Sequence, residues 1–130
     1  MPLVLPGGVS LEVVVRSEDS DGRFCLLTDR LPPAWSLPPH RHARETETIA
    51  VHSGHLRMTV DGVICELAPG DITHVAAGVL HDGTVVGDEP VERTVIFSPG
   101  GMERFFEQLS ATGEPVEAFR LAHEHGWRFD

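Results

Sequence analysis

The sequence predicts an all-β fold, a sandwich or barrel of short strands, followed by one or two helices. Glycine and proline are abundant, with 13 and 10 residues among 130, whereas aromatic residues make up 6%. This composition is typical of short strands joined by tight turns. Apolar stretches separated by turn residues recur up to residue 97, and a helical period follows residue 101. We expect residues 1–130 to form one domain, with the barrel at about 9–98 and a helical tail at about 100–130.

The individual strands are predicted from runs of β-branched and apolar residues that turn signals separate. Asp21-Gly22 and Asp61-Gly62 are dipeptides that suit tight turns with positive φ. The predicted strands comprise residues 9–16, 23–31, 46–52, 55–60, 63–67, 72–75, 81–86 and 91–97. Four prolines in the segment 31–42 predict a stiff, extended loop, because proline interrupts the hydrogen-bond ladder of a sheet.

After residue 101 the apolar side chains follow a helical period. Met102, Phe105, Phe106 and Leu109 share one helical face. A second helix is predicted over residues 115–125, between a proline suited to the first turn and a glycine that ends it. We expect both helices to pack outside the sheet, with Phe105, Phe106 and Phe119 in core contacts.

Composition excludes several classes of function. A formal net charge of -10 leaves no basic face for nucleic acid. No apolar stretch approaches the roughly 20 residues of a membrane helix, and no signal peptide is apparent, so we expect a cytoplasmic protein with reduced Cys25 and Cys65. The absence of lysine and tyrosine excludes Schiff-base chemistry and phenol acids or bases.

The stretch from residue 38 to 54 has the composition of a metal site. His40 and His42 point to the same side of an extended chain, because side chains alternate along a strand. A carboxylate from the following strand can supply a third donor, and Glu45 and Glu47 share one face there. Neutral imidazole and carboxylate are ligands that divalent iron, manganese, nickel, copper and zinc accept. The sequence therefore predicts a bound metal.

The same stretch resembles the first motif of the cupins, and a later stretch resembles their second motif. The first motif is matched by His40, His42, Glu47 and Gly54, and the second by Gly70, Gly78 and His81. The resemblance spans about residues 23–97. Ala34, Ala76 and Val85 stand where the family motifs have glycine, proline and asparagine, and none of these departures removes a ligand.

The resemblance implies a jelly-roll β-barrel, also called a double-stranded β-helix, with His40, His42, Glu47 and His81 as ligands of one divalent metal. Iron(II) is favoured, with zinc, nickel, manganese and copper as alternatives. Six-fold coordination would leave two positions open for substrate and for dioxygen or water. The spacing to Gly54 favours Glu47 over Glu45 as the carboxylate ligand, and the choice between them stays open at this point.

The resemblance also implies a function. The most direct expectation is a dioxygenase-type oxidoreductase acting on a small organic substrate, with Glu47 as a catalytic general base. A non-redox cyclase, isomerase or decarboxylase and a small-molecule sensor without catalysis are the alternatives. By the same resemblance we expect a homodimer.

The pocket around the metal is harder to predict than its ligands. Trp35, Ile49 and Met58 are candidate apolar walls, although each could equally be ordinary core. Arg57 could face solvent or the cavity mouth, where it would bind a carboxylate or phenolate. His74 is a candidate substrate contact if its strand face lines the barrel.

Four other histidines are expected to have no part in the site. Two of them, His52 and His55, are predicted to lie on the surface. His123 and His125 form a second His-x-His pair, but they fall in a predicted helix, where residues i and i+2 point in different directions. They therefore cannot share a metal.

Overall fold

The computed structural model describes residues 2–129 and contains two antiparallel sheets with two helices after them. The strands are β1 (Leu3–Leu5), β2 (Val9–Val15), β3 (Cys25–Leu31), β4 (Ser36–His42), β5 (Thr46–Ser53), β6 (His55–Val60), β7 (Val63–Leu67), β8 (Ile72–Val75), β9 (His81–Val86), β10 (Val91–Ser98) and β11 (Trp127–Arg128). The helices are α1 (Met102–Thr112) and α2 (Pro115–Glu124), and a 3₁₀ turn covers Ser17–Ser20.

The strand order is that of a jelly roll, as predicted. One sheet has the order β1-β2-β3-β10-β5-β8, and the other has the order β11-β4-β9-β6-β7. Strands that are distant along the chain are neighbours in space, since β10 lies between β3 and β5 and β9 lies between β4 and β6. Buried side chains from both sheets form one hydrophobic core. Closing two sheets over a shared core leaves a protected interior in which a polar site can be built.

Alternation along β5 and β10 determines which side chains reach that interior. Ile49 and Val51 are each 1% exposed, and their neighbours on the same strand point outward. Burying an aliphatic side chain of this size contributes about 1.5–3 kcal/mol. Because Ile49 pairs with Val95 and Glu47 pairs with Phe97, the same alternation places the Glu47 carboxylate on the inner face. Core packing thus fixes the direction of a candidate ligand.

The proline-rich segment is a strand where the sequence predicts a loop. β4 includes Pro38 and Pro39, which are both exposed, and its pairing with β9 shifts register between Leu37 and His40. Proline has the extended φ of a strand, and a register irregularity tolerates its missing N–H. The prediction of a loop was wrong because proline was taken only as an interruption of the ladder.

Two further strands lie outside the residues predicted to form the barrel. β1 pairs with β2, and β11 pairs with β4 through Trp127 opposite His42. α1 packs against β1 and β3, and α2 packs against α1 and β11. Phe105 is buried as expected, but Phe119 is 62% exposed and lies beside the ring of Phe129, with centroids 5.2 Å apart.

Several expectations about the surface can be compared with the structure. His52 and His55 are exposed, as predicted. Among residues 2–129, no helix has the length and apolar character needed to cross a membrane. The homodimer and the cytoplasmic location stay predictions.

Gly54, between β5 and β6, occupies a position that no other residue fits. Its φ is +78°, and a Cβ atom there would lie 2.3 Å from the carbonyl oxygen of Pro90. We expect Gly54→Ala to lower the free energy of unfolding by at least about 3 kcal/mol, since backbone strain and a collision with backbone add together. Urea unfolding followed by circular dichroism measures this loss.

Gly62 provides the matched control for that substitution. Its φ is +79°, but a Cβ atom there would meet nothing within 4 Å. Gly62→Ala should therefore lower the free energy of unfolding only by the cost of backbone strain at positive φ, about 1–2 kcal/mol. Equal losses in the two variants would show that the contact with Pro90 does not matter.

Candidate metal centre

Three histidines from two neighbouring strands meet in the interior. His40 and His42 lie on β4, and His81 opens β9, where it pairs directly with His40. Each side chain offers a ring nitrogen within 4.8 Å of the nitrogens of the other two. All three residues are 2–3% exposed. The structure therefore brings together the three imidazoles that the sequence analysis names, from positions up to 41 residues apart in the chain.

Backbone carbonyls orient two of these rings. His40 Nδ1 lies 2.8 Å from the carbonyl oxygen of Pro38, and His81 Nδ1 lies 2.9 Å from that of Val79. Each Nδ1–H donates to its carbonyl, which leaves Nε2 as the nitrogen that faces the other histidines. The same local arrangement, a histidine two residues after its carbonyl acceptor, thus occurs on both strands.

Glu47 approaches the three histidines from the opposite sheet. Its Oε1 atom lies 3.3 Å from His42 Nε2 and 3.1 Å from His81 Nε2. Burial alone would raise the pKa of the Glu47 carboxyl, but the contacts with His42 and His81 outweigh burial and lower that pKa. Burial likewise opposes charge on His81, but the hydrogen bond to Glu47 raises its pKa above the usual value. Glu47 is therefore a buried carboxylate, not a buried acid.

The pKa of His40 is shifted in the opposite direction to that of His81. Its burial, together with the nearby His81 and His42, lowers the pKa of His40 to about 4. His40 is then neutral near pH 7, which is the form that binds metals. The ring nitrogens of the three histidines lie within 4.8 Å of one another, and the Glu47 carboxylate contacts two of them. A divalent cation among these groups would satisfy them without a proton on His81. The residues present fit a metal.

Glu45, the alternative carboxylate, does not take part in this cluster. It is 6% exposed, and burial raises the pKa of its carboxyl. Its Oε1 atom and His42 Nδ1 are the two buried side-chain polar atoms without a hydrogen-bond partner in residues 2–129. Glu47, in contrast, contacts both His42 and His81 directly. The geometry favours Glu47 as the carboxylate of the centre.

Trp127 is a neighbour of the centre that the sequence analysis missed. Its ring stacks on His40, with centroids 4.7 Å apart and planes 18° apart, and meets His42 edge-on at 4.5 Å. Its indole N–H donates to the sulfur of Met102 at 3.2 Å. The indole therefore covers the outer side of two candidate ligands. A tryptophan in a short terminal segment gives no sequence signal of this role.

The histidines and Glu47 line a cavity of about 230 Å³. Trp35, Ile49 and Met58 also line it, as the sequence analysis proposed. Most of the remaining walls are apolar, and both sheets, both helices and the last strand contribute to them. An apolar cavity with a few convergent polar groups is the usual form of a small-molecule site.

Two candidate pocket residues lie elsewhere. Arg57 points outward between the buried Leu56 and Met58 and pairs with the exposed Glu66 at 2.9 Å. His74 is exposed on β8 and lies 2.8 Å from the hydroxyl of Thr48. Strand alternation places both on outer faces, so neither lines the cavity. Of the two positions left open for Arg57, the structure shows the one that faces solvent.

A buried ion pair in the cavity was not predicted from the sequence either. Arg93 on β10 forms a bidentate pair with Asp29 on β3, with its Nε 2.9 Å from Oδ1 and its Nη2 3.1 Å from Oδ2. The two side chains are 12% and 5% exposed. Each occupies an inward position of its strand, Asp29 between Leu27 and Leu31. A charged residue at an apolar position of the alternating pattern is the signal that could have identified them.

Comparison with known proteins agrees with this architecture. The profile of the cupin domain family matches residues 28–97, more than half of the chain. The chain belongs to the cupin family. Residues 28–97 contain all four candidate ligands, so the family match covers the candidate metal centre and the strands from β4 to β9.

Two curated relatives are oxidoreductases by name. This cupin is 30% identical to quercetin 2,3-dioxygenase of Bacillus subtilis over 129 residues, 98% of this chain and 37% of that protein. It is 40% identical over 63 residues to the probable oxidoreductase patJ of Penicillium expansum, 47% of this chain and 19% of that protein. The chain thus spans about a third or less of the length of these relatives.

Solved structures confirm the fold. An RmlC-like cupin from Shewanella frigidimarina superposes with a TM-score of 0.69 at 20% identity, over 80% of this chain and 87% of that one. KdgF from a Halomonas species superposes with a TM-score of 0.66 at 18% identity, over 76% and 84% of the two chains. At these identities the likeness concerns the barrel alone.

Proposed function

We propose that this cupin is a metal-dependent enzyme, a dioxygenase-type oxidoreductase that acts on a small organic substrate. One observation carries the proposal: three buried imidazoles lie together in the wall of an apolar cavity, and the buried Glu47 carboxylate contacts two of them. We propose His40, His42, His81 and Glu47 as the ligands, with iron(II) as the favoured metal. In a dioxygenase both atoms of dioxygen enter the product, and the substrate itself supplies the electrons.

The residues of this chain would perform distinct tasks. The histidines are buried and oriented, so they bind the cation with little rearrangement. Apolar walls such as Ile49 and Met58 exclude water from the reacting centre. Glu47, whose pKa is lowered despite burial because His42 and His81 contact it, is ionised and can accept the proton of a substrate hydroxyl. A bound iron(II) would supply a Lewis acid and redox chemistry toward dioxygen.

Sequence similarity supports the same proposal. The identity of 30% to quercetin 2,3-dioxygenase extends over nearly all of this chain, beyond the family match. That name makes flavonols and related enols the first compounds to test. We also propose that cyclisation, isomerisation or decarboxylation without dioxygen is the second type of reaction to examine, since the same centre can act as a Lewis acid alone.

Oxygen consumption tests the proposal directly. We expect iron(II)-loaded protein to consume dioxygen and substrate in equal amounts with at least one flavonol or 1,3-diketone. Glu47→Gln should lower the rate by at least about 100-fold, because it removes a proton acceptor that is also a candidate ligand. Glu66→Gln, at an exposed acid on the outer face, should leave the rate unchanged.

The alternatives give different results in the same experiment. Substrate consumption without oxygen uptake would indicate Lewis-acid chemistry. Binding of these compounds without turnover, with every metal supplied, would contradict an enzyme and favour a sensor.

A further inference from the structure

The Arg93–Asp29 pair is a buried charged feature that the proposed chemistry does not use. Its guanidinium lies 5.5 Å from the centroid of the Trp35 ring, and all three residues line the cavity. Replacing a buried ion pair by apolar residues is often neutral or stabilising, so such a pair is weak evidence for a role in stability. A role in ligand binding has to be considered.

The pairing of Arg93 leaves part of its guanidinium unused. Nε and Nη2 donate to the Asp29 carboxylate, while Nη1 donates to no acceptor in residues 2–129. An arginine presents five N–H donors in a fixed plane. Since Asp29 holds that plane in one orientation, the Nη1 donors are directed before any ligand arrives.

Arg93 and the metal centre lie at separate places along one strand pair. On the ladder between β5 and β10, Glu47 pairs with Phe97, whereas Arg93 pairs with Val51. Four residues of extended strand correspond to about 13 Å between α-carbons. The side chains approach more closely than this, since the Arg93 charge is among the causes that lower the pKa of Glu47. A ligand in this cavity can therefore meet the histidines with one group and Arg93 with another.

We propose that Arg93 determines substrate specificity: its Nη1 donates a hydrogen bond to a second oxygen of the substrate, remote from the group that binds at the histidines. This inference rests on the proposed function, from which it takes the small organic substrate. The oxygen is that of an uncharged hydroxyl or carbonyl group, because Asp29 already balances the charge of Arg93. A carboxylate placed there would lie beside the Asp29 carboxylate with no further cation to offset it.

The test measures binding to zinc-loaded protein, so that it does not depend on oxygen chemistry. Trp35 and Trp127 both line the cavity, and their fluorescence reports occupancy. The probes are 3-hydroxyflavone, its 4′-hydroxy and 7-hydroxy derivatives, which extend the two ends of the molecule, and its 4′-carboxylate. We expect at least one hydroxy derivative to bind about 10-fold more tightly than 3-hydroxyflavone and the carboxylate to bind no more tightly.

The paired variant Arg93→Met with Asp29→Leu removes the donor without leaving a lone buried charge. It should bind the hydroxy derivatives no more tightly than it binds 3-hydroxyflavone, whatever its absolute affinity for 3-hydroxyflavone. If that variant does not fold, Arg93→Gln with Asp29→Asn replaces both charges by amides and should reduce the discrimination. The matched control is Arg57→Met with Glu66→Leu, the same change at an exposed pair, which should keep the 10-fold preference.

Two results would overturn the inference. One is a lack of discrimination by the parent protein, seen as equal affinity for 3-hydroxyflavone and both hydroxy derivatives or as binding of none of the probes. The other is a preference that survives in the paired variant. Binding of 3-hydroxyflavone without discrimination would remove the role of Arg93 and leave the proposed function intact. Tighter binding of a hydroxy derivative, without oxygen uptake by iron-loaded protein, would support the role of Arg93 and contradict the proposed dioxygenase function.

Discussion

His81→Ala should remove nearly all bound metal from this cupin. The parent protein is expected to contain about one transition metal per chain after purification, because the three histidine nitrogens and the Glu47 carboxylate form a set of ligands that is already oriented. Loss of an outer residue that only orients a ligand costs about 10–100-fold in metal affinity, and loss of a ligand itself should cost more. Elemental analysis and competition with a chromogenic chelator measure both quantities.

A surface histidine provides the control for that experiment. His55 is exposed at the start of β6, and His55→Ala should leave metal content unchanged. Metal retained in the His81→Ala protein at the level of the parent would exclude His81 from the centre. Circular dichroism of both variants tests whether the loss of metal comes from unfolding instead of from the missing ligand.

Glu103→Ala should strongly destabilise the protein, although Glu103 lies away from the candidate metal centre. The Glu103 carboxylate is fully buried in the first turn of α1 and accepts hydrogen bonds from the Ser17 amide at 2.6 Å, the Ser17 hydroxyl at 2.7 Å and the Gly101 amide at 2.9 Å. Removing it leaves three donors without acceptors. We expect a loss of about 3–4 kcal/mol in the free energy of unfolding, measured in urea at pH 7.

The same carboxylate predicts how stability depends on pH. Burial alone would raise the pKa of Glu103, but the hydrogen bonds from Ser17 outweigh burial and lower the pKa below its ordinary value of 4.5. A carboxyl whose pKa falls on folding stabilises the folded state above its unfolded pKa, and this contribution disappears as pH falls through the folded pKa. Glu103→Gln should therefore lose stability at pH 7 and depend less on pH below 4.5 than the parent does.

Glu114 gives the corresponding control. It is exposed before α2, and Glu114→Gln should unfold as the parent does at every pH. If Glu103→Gln matched the parent both at pH 7 and in acid, its hydrogen bonds would contribute nothing to stability.

The fold could be predicted from the sequence wherever local signals and tertiary packing agree. The hairpin at Asp61-Gly62 is one such case, since a turn dipeptide joins two alternating strands, and the structure places β6 and β7 on either side of it. β4 and β11 were not predicted from the sequence, because these segments form strands only through pairing with neighbouring strands. Pro38 lies in a strand only because β9 is beside it, and two residues at 127–128 form a strand only because β4 has a free edge there.

The ligands of the centre could be predicted more fully than the cavity. The resemblance to the two cupin motifs implies His40, His42, Glu47 and His81, and the structure brings the three histidines together with Glu47 in contact with two of them. The contacts of Arg93 and Trp127 join residues far apart in the chain and follow no motif. The orientations of Arg57 and His74 could not be predicted for a related reason, since alternation fixes which residues share a face but not which face is inward.

The pairing of β11 with β4 has a consequence for the order of assembly during synthesis. The strand that carries His40 and His42 acquires its second edge partner only from residues 127–128, and the indole of Trp127 covers both imidazoles. A nascent chain that has emerged from the ribosome only as far as β10 would contain every candidate ligand but leave two of them uncovered. Ion capture by the growing polypeptide should therefore become tight only once residues 127–128 have emerged from the ribosome.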